Sequence, residues 1–385
     1  MRVLAAFDKF KDSLSARQAC ELAARALRSR RKDWEVDLCP LTDGGEGFAE
    51  ILTRAAGGEL AKLPVAGPRG GQVEAAMGLV SLARIPASAR AQLGAPAGAG
   101  RIAIADMASA SGLALLPPEG RDPWQASSYG TGQLIRAAAE LKADLVLLGV
   151  GGSATNDLGL GALSALGFEF RSAEGAKLRP PIPAVWPQLA RIEGELFAGV
   201  PPIRIACDVS NPLLGPHGAT AVFGPQKGLD PRDYDRLEGE CARLAYLLAD
   251  ACRTSAETAE VPGAGAAGGI AYGLMTGARA RLLPGSALVG AWLDLEPRLA
   301  AADLVLTGEG RFDASSLGGK GPGALAQRAA QLGKPVHVFA GKIDAGMAPA
   351  GLRLHPITPA GQPLAEALRC AADNLVAAVQ EEFGG

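Results

Sequence analysis

The sequence predicts an α/β protein in which a parallel sheet is interrupted by a second domain built on a mixed sheet. Three observations carry this. Short apolar β-rich runs alternate with Ala/Leu/Arg runs at helical spacing at both ends of the chain. Glycine clusters at 44–47, 149–152, 263–269, 308–310 and 318–323 recur along the chain, several of them where an apolar run stops. Between about 59 and 105 the alternation gives way to strand after strand, antiparallel in flavour.

The elements follow in order. "RVLAAFD" (2–8) is a strand, and "SARQACELAARALRSR" (15–30) a helix with Ser15 placed to cap it. "WEVDLCPL" (34–41) is a second strand and "DGGEGFAEILTRAAG" turns into a second helix, a βαβα start that requires right-handed crossovers. "ELAKLPVAGPRGGQVEAAMGLVS" reads as two strands about a Gly-Pro turn, and "RIAIADMA" as a third. "GTGQLIRAAAELKADLVLLGVGG" restores helix–strand order; "ALGFEFRSAEGAKL" resembles a hairpin; "IRIACDVSNPL" is a strand ending in a turn. Residues 231–257 form an amphipathic helix. "AADLVLTGEG" (301–310) and "KPVHVFAGKI" (334–343) are buried-type strands flanking the helix "GPGALAQRAAQLG", and a helix closes the chain from Pro363 to Phe383. Expected boundaries are 1–58 plus 290–385, with part of 128–160, for the parallel domain, and 59–289 for the insertion. There is no internal repeat.

With 385 residues, 48% hydrophobic, 20% charged and a net charge of −2, the chain is long enough for two cores. It has no basic stripe, so nucleic acid is not an expected partner. No apolar run reaches the ~18 residues of a membrane span, and charges arrive too early for a secretory leader. The six cysteines lack CxxC pairing and are expected as free thiols in a cytoplasmic protein. The three histidines, His217, His337 and His355, form no linear zinc pattern, and His337 is expected to be packed within its strand.

Six polar or glycine-rich turns sit where apolar runs stop: Asp8–Lys11, Asp43–Gly47, Gly151–Gly159, Asp208–Asn211, Gly308–Asp313, and Lys342 with Asp344. Ligands of open parallel sheets bind beyond the carboxyl ends of the strands. Gly-rich turns present N–H groups to phosphate oxygens, which fits "GGSATND" (151–157). "GAGAAGG" fits either such a turn or a tight packing contact. "GEGRFDASSLGGKG" combines Glu309 and Asp313 with Arg311 and Lys320: carboxylates for Mg²⁺, cations for phosphate. A Walker loop, a GxGxxG after the first strand and a GxSxG elbow are all missing. That argues against a nicotinamide-dependent dehydrogenase.

The blocks "FDKFKDSLSA", "LTDGGEG", "DMASASGL", "SSYGTGQLIRAA", "GVGGSATNDLG", "ACDVSNPLLGPHGATAVFGPQKG", "GAGAAGG" and "LVLTGEGRFDASSLGGKGP", in this order from residue 7 to about 341, closely resemble bacterial glycerate kinases of the glycerate 2-kinase family. The resemblance implies ATP-dependent phosphorylation of D-glycerate to 2-phosphoglycerate with Mg²⁺. It also implies two α/β domains, one flavodoxin-like, facing each other across a cleft. Asp8-Lys9-Phe10-Lys11 departs from the family's usual Asp-Ser-Phe-Lys by its extra charge at Lys9.

Candidate roles follow. Asp8 or Asp43 would accept the hydroxyl proton, with Lys11 supplying charge beside them. Lys9, Arg69, Asp208 and Asn211 would line the substrate. Gly151, Gly152, Ser153, Thr155, Asn156, Gly308 and Gly310 would cradle the nucleotide, and Asp157, Glu309 and Asp313 would hold the metal. The alternatives are a kinase of another small hydroxy acid, 3-phosphorylation of glycerate, or a binding protein that kept the fold. A monomer or homodimer is expected.

Overall fold

The computed structural model describes residues 1–314, 316–317, 321–344, 346–347 and 350–384. The chain forms two compact units, one from residues 1–43 and 289–385 and the other from 44–288.

The chain enters the first unit with β1 (Arg2–Phe7) and β2 (Glu35–Leu38). Between them lies helix Ala16–Arg30. Its start is set by Ser15, whose hydroxyl accepts from the Gln18 N–H while the Gln18 side chain accepts from the Ser15 N–H. The second unit follows with β3 (Glu59–Ala66), β4 (Gln72–Ser81), β5 (Arg101–Asp106), β6 (Leu145–Gly149), β7 (Glu169–Ser172), β8 (Leu189–Glu193), β9 (Ile203–Cys207) and β10 (Arg281–Pro284). The chain then returns to the first unit with β11 (Leu304–Phe312), β12 (Val336–Ile343) and β13 (Leu352–Pro356).

The first unit's sheet has the order β13-β12-β11-β1-β2, with every pairing parallel. Its inner strands β1, β11 and β12 are largely buried, as strands inside a parallel sheet are, while the edge strands β2 and β13 are partly exposed. Helices Ala16–Arg30 and Ala371–Glu382 pack together on one face, over Val3, Ala5, Phe7, Leu304, Leu306 and Phe339. Helix Gly321–Gln331 packs against β11 and β12. The long C-terminal helix expected from Pro363 is two helices, Leu364–Arg369 and Ala371–Glu382, divided at Cys370.

The second unit's sheet has the order β10-β9-β6-β5-β4-β3. Its β3–β4 and β4–β5 pairings are antiparallel and the rest parallel, so the sheet is mixed. Helix Phe48–Ala55 packs on β4 and β5, which places it in this unit rather than with the first segment. The stretch 128–160 also lies wholly here, because β6 pairs between β5 and β9. The hairpin expected within 165–178 forms: Ser172 N–H donates to the Ala176 carbonyl (2.9 Å), Leu178 N–H to the Phe170 carbonyl (2.8 Å), and Arg171 bridges Lys177 in antiparallel fashion. β7 also pairs antiparallel with β8, beyond Pro180, Pro181, Pro183 and Pro187, which cannot donate to a ladder.

Among the described residues no helix is long and apolar enough to cross a membrane. None of the six cysteines forms a disulfide among the described residues. His337 is packed as its strand context implied, at 2% exposure, and burial lowers its pKa to about 4.

Candidate active site

At the carboxyl end of β1 the chain turns sharply. Asp8 donates its N–H to the Gly308 carbonyl (3.0 Å), and its carboxylate accepts the Lys9 N–H (2.7 Å). Lys9 Nζ reaches Asp43 Oδ1 at 3.1 Å. On the neighbouring strand, Gly308 pairs with Phe7 and Phe339, and a side chain there would overlap the Phe339 carbonyl. Gly310 is less confined: a Cβ would stand 3.2 Å from the Lys11 backbone nitrogen. These two glycines bring β11 close to the Asp8 turn. Gly321, the first residue of its helix, lies beside the Asp8 carboxylate, where a Cβ would stand 3.9 Å from Oδ2.

The first unit thus gathers Asp8, Lys9, Asp43 and Glu309 into one electrostatic group. Asp8 is 9% exposed, and its pKa is pushed up to about 7, first by burial, then by the Asp43 charge and less by Glu309; Lys9 opposes the rise. Burial also raises Glu309, with further pressure from Asp313 and Asp43. The Oε1 of Glu309 is buried without a hydrogen-bond partner among the described residues. Asp313 pairs with Arg311 at 3.4 Å, and Arg311 also binds Asp344 at 2.8 Å. Lys320 lies outside the described residues.

In the second unit, the turn after β6 is packed backbone against backbone. The Gly151 N–H donates to the Gly44 carbonyl (3.0 Å), and a Cβ on Gly151 would stand 2.8 Å from Gly45 N. Gly152 is exposed with φ +74°, and Ser153 is 8% exposed. Beyond Ser153 the turn dives into the core: Thr155, Asn156 and Asp157 are fully buried.

Asp157 is saturated with donors. Its carboxylate accepts from Ser128 N–H (2.7 Å) and Oγ (2.8 Å), Gly159 N–H (3.2 Å) and Gly161 N–H (3.3 Å). It ties together the starts of helices Tyr129–Glu140 and Leu160–Ala165. The metal role expected of Asp157 is therefore not what this geometry offers, since its lone pairs are committed. Thr155 offers its carbonyl to Lys227 Nζ (2.6 Å), and Asn156 Nδ2 donates to Thr220 Oγ1 (3.3 Å). These two side chains sit in the core rather than on a phosphate-facing surface. The cause lies far along the chain, in "GAGAAGG". Ala267, Gly268 and Gly269 take left-handed backbone angles, and a Cβ on Gly268 would overlap the Thr155 carbonyl. Gly268→Ala is expected to destabilise the protein by about 3 kcal/mol or more, through both left-handed strain and the backbone overlap. Thermal denaturation checks this.

Other candidates occupy turns of their own. Asp208 accepts from Ser286 N–H (2.8 Å) and Oγ (3.0 Å). Asn211 donates to the His217 carbonyl (2.8 Å). Arg69 donates to the Gly120 carbonyl (3.1 Å). Among the described residues, Asp106 and Lys227 are buried ionisable groups that escaped sequence reasoning. Asp106, 3% exposed, accepts from the N–H groups of Gly47 (3.2 Å) and Ser109 (3.3 Å). Lys227, 1% exposed, is lowered by burial to about 7 against the opposing charge of Asp157. Only the strand end before Asp106 hinted at the first, and nothing in "GPQKG" marks its lysine as buried.

Comparison with known proteins decides what such a chain is. Residues 3–383 match the glycerate kinase family. The chain belongs to the glycerate kinase family. It is 37% identical to a glycerate kinase of Bacillus subtilis (strain 168) over 97% of this chain and 95% of that one. It is 36% identical to a glycerate 2-kinase of Escherichia coli (strain K12), over 89% and 86%. A crystal structure from Salmonella typhimurium LT2, assigned as glycerate kinase 2, superposes with a TM-score of 0.75 at 35% identity, covering 100% of this chain and 97% of that one. The protein is accordingly a kinase acting on a small molecule. The fold expected from the sequence, a parallel α/β sheet interrupted by a mixed one, is the fold observed.

Proposed function

We propose that the protein transfers the γ-phosphoryl group of ATP to the 2-hydroxyl of D-glycerate, giving 2-phosphoglycerate. The observation that carries the chemistry is Asp8, a carboxylate at a strand end raised to about 7 among the charges of Asp43, Glu309 and Lys9. A base whose pKa lies near working pH combines the right protonation state with driving force. Asp8 takes the proton of the attacking hydroxyl. Lys9 and Lys11 supply positive charge for the glycerate carboxylate or for phosphate oxygens.

The donor set fits Mg²⁺, which prefers carboxylate oxygens. Glu309 presents a buried oxygen with no hydrogen-bond partner among the described residues, and the charges of Asp43 and Asp313 both act on it. Those three residues would hold the ion, and when bound it neutralises charge on the transferring phosphoryl group. Gly308, where no side chain fits, and Gly310, where one would press on the Lys11 backbone, keep the backbone open beside this group. Gly151, Gly152 and Ser153 form the proposed phosphate cradle of the second unit. The family membership supports glycerate as acceptor; the name of the Escherichia coli relative supports position 2.

The purified enzyme, given ATP, Mg²⁺ and D-glycerate, is expected to produce 2-phosphoglycerate and ADP, with the product's phosphorus NMR signal coupled to the carbon-2 proton. Activity should vanish in excess chelator and return with Mg²⁺. A product phosphorylated at carbon 3 would overturn the regiochemistry, and turnover of another hydroxy acid in preference to glycerate would overturn the substrate.

A further inference from the structure

In the first unit, three ligating side chains from three elements meet. His337 on β12 and His355 on β13 share a hydrogen bond between Nδ1 and Nε2 at 3.0 Å. Glu382, at the end of helix Ala371–Glu382, places Oε1 at 3.4 Å from His337 Nδ1 and Oε2 at 3.7 Å from His355 Nδ1. One ligating atom from each residue lies within 4.8 Å of the other two. We propose that His337, His355 and Glu382 form a binding site for a divalent transition metal of the zinc class, separate from the phosphoryl-transfer group.

The spacing supports it. Ligand atoms about 2.0–2.1 Å from a tetrahedral ion stand roughly 3.3–3.4 Å apart; the 3.4 Å from His337 Nδ1 to Glu382 Oε1 matches that value, and the 3.0 Å from Nδ1 to His355 Nε2 must open by a few tenths of an ångström. By contrast, 3.4 and 3.7 Å are long for hydrogen bonds from imidazole to carboxylate. The carboxylate is held near both rings without being well bonded to either. Its cationic neighbour, Arg353, is 3.6 Å away with a side chain 70% exposed, an ion pair that a metal ion can displace.

The donor chemistry discriminates. Two imidazoles and one carboxylate suit Zn²⁺, Co²⁺ or Ni²⁺, while Mg²⁺ prefers oxygen throughout. The rings are parallel to within 3° and walled by Phe339, 4.6 Å from the His355 ring, and Phe383, 4.9 Å from the His337 ring. This apolar wall limits water at the ion and leaves the half-exposed side of Glu382 as the way in. Binding exchanges the imidazole–imidazole hydrogen bond for two metal–nitrogen bonds and requires both rings to turn so that their lone pairs meet at the ion. The site is also removed from the kinase chemistry: Glu309 pairs with Ala340, three residues or about 10 Å along β12 from His337.

The test uses the full chain, stripped with chelator and titrated with Zn²⁺ and with Co²⁺ by calorimetry and visible absorption. One equivalent of either ion is expected to bind, with the Co²⁺ form showing d–d bands and no thiolate charge-transfer band. His355→Ala and Glu382→Gln should each weaken binding about tenfold or more, and the double variant should abolish it. Glu382→Gln is isosteric, so circular dichroism and the rate of glycerate phosphorylation should both stay at wild-type values. Absence of micromolar binding in the wild type, undiminished binding in the double variant, or a thiolate band assigning the ion to a cysteine would each overturn the site.

Discussion

Asp8→Asn is expected to lower kcat by about 10²–10⁴, the range for loss of a general base, while making the metal-free protein more stable at alkaline pH. The two effects share a cause. Asp8 is buried beside other carboxylates, so ionising it costs the folded state more than the unfolded one. With a folded pKa of about 7 against an ordinary value near 3.8, the folded protein holds the extra proton. Its contribution is fully present below about pH 4 and is lost as pH rises through about 7. At about 1.4 kcal/mol per pKa unit, the ionised residue strains the fold by up to about 4 kcal/mol at pH 8. Asn cannot ionise, so in chelator the variant should equal wild type at pH 4 and exceed it at pH 8 in urea denaturation. Near-normal kcat in the variant would remove Asp8 as base. Equal stability at pH 8 would remove the burial argument.

The second large effect is expected at Asp157. Asp157→Ala leaves the N–H groups of Ser128, Gly159 and Gly161 without their acceptor and Lys227 without its nearby opposite charge. Loss of one member of a buried charged network costs about 3–5 kcal/mol, which in a unit of this size lowers Tm by about 10 °C. The apparent affinity for Mg²⁺ in the kinase assay should not move in the isosteric Asp157→Asn. A variant with wild-type Tm but weakened Mg²⁺ dependence would restore the metal-ligand reading. Combining Asp157→Asn with Lys227→Met should cost less than the two single changes together, because the pair no longer leaves one buried charge facing none.

Most strands were legible as apolar runs ended by a turn, and the parallel order followed from helices between them; β8, β10 and β13 were not, because they are short and expose much of their length. Asp8 and Asp43 were legible as candidates because they follow the ends of such runs, and Glu309 because glycines flank it, although β11 runs on past it to Phe312. Asp157 was not, because "SATND" reads the same whether it opens to a ligand or is plugged by backbone from 267–269. The helix Phe48–Ala55 shows the same limit. Its apolar face is plain in the sequence, but which sheet receives it depends on β4 and β5, not on its own residues. His337 and His355 are 18 residues apart with no motif between them; only the β12–β13 pairing and the helix end at Glu382 bring them together.

The split construction of the first unit has a consequence for its birth on the ribosome. β1 lies inside its sheet, flanked by β2 and β11, so half of its backbone partners are synthesised about 260 residues after β2. At roughly 5–20 residues per second, β1 waits about 10–50 s with one side unpaired, while the intervening unit has all of its own strands and can finish. Nascent chains arrested before residue 304 should therefore hold a protease-resistant core from 44–288 and a cleavable amino-terminal segment. Chaperones that shield unpaired strands should engage that segment until β11 emerges.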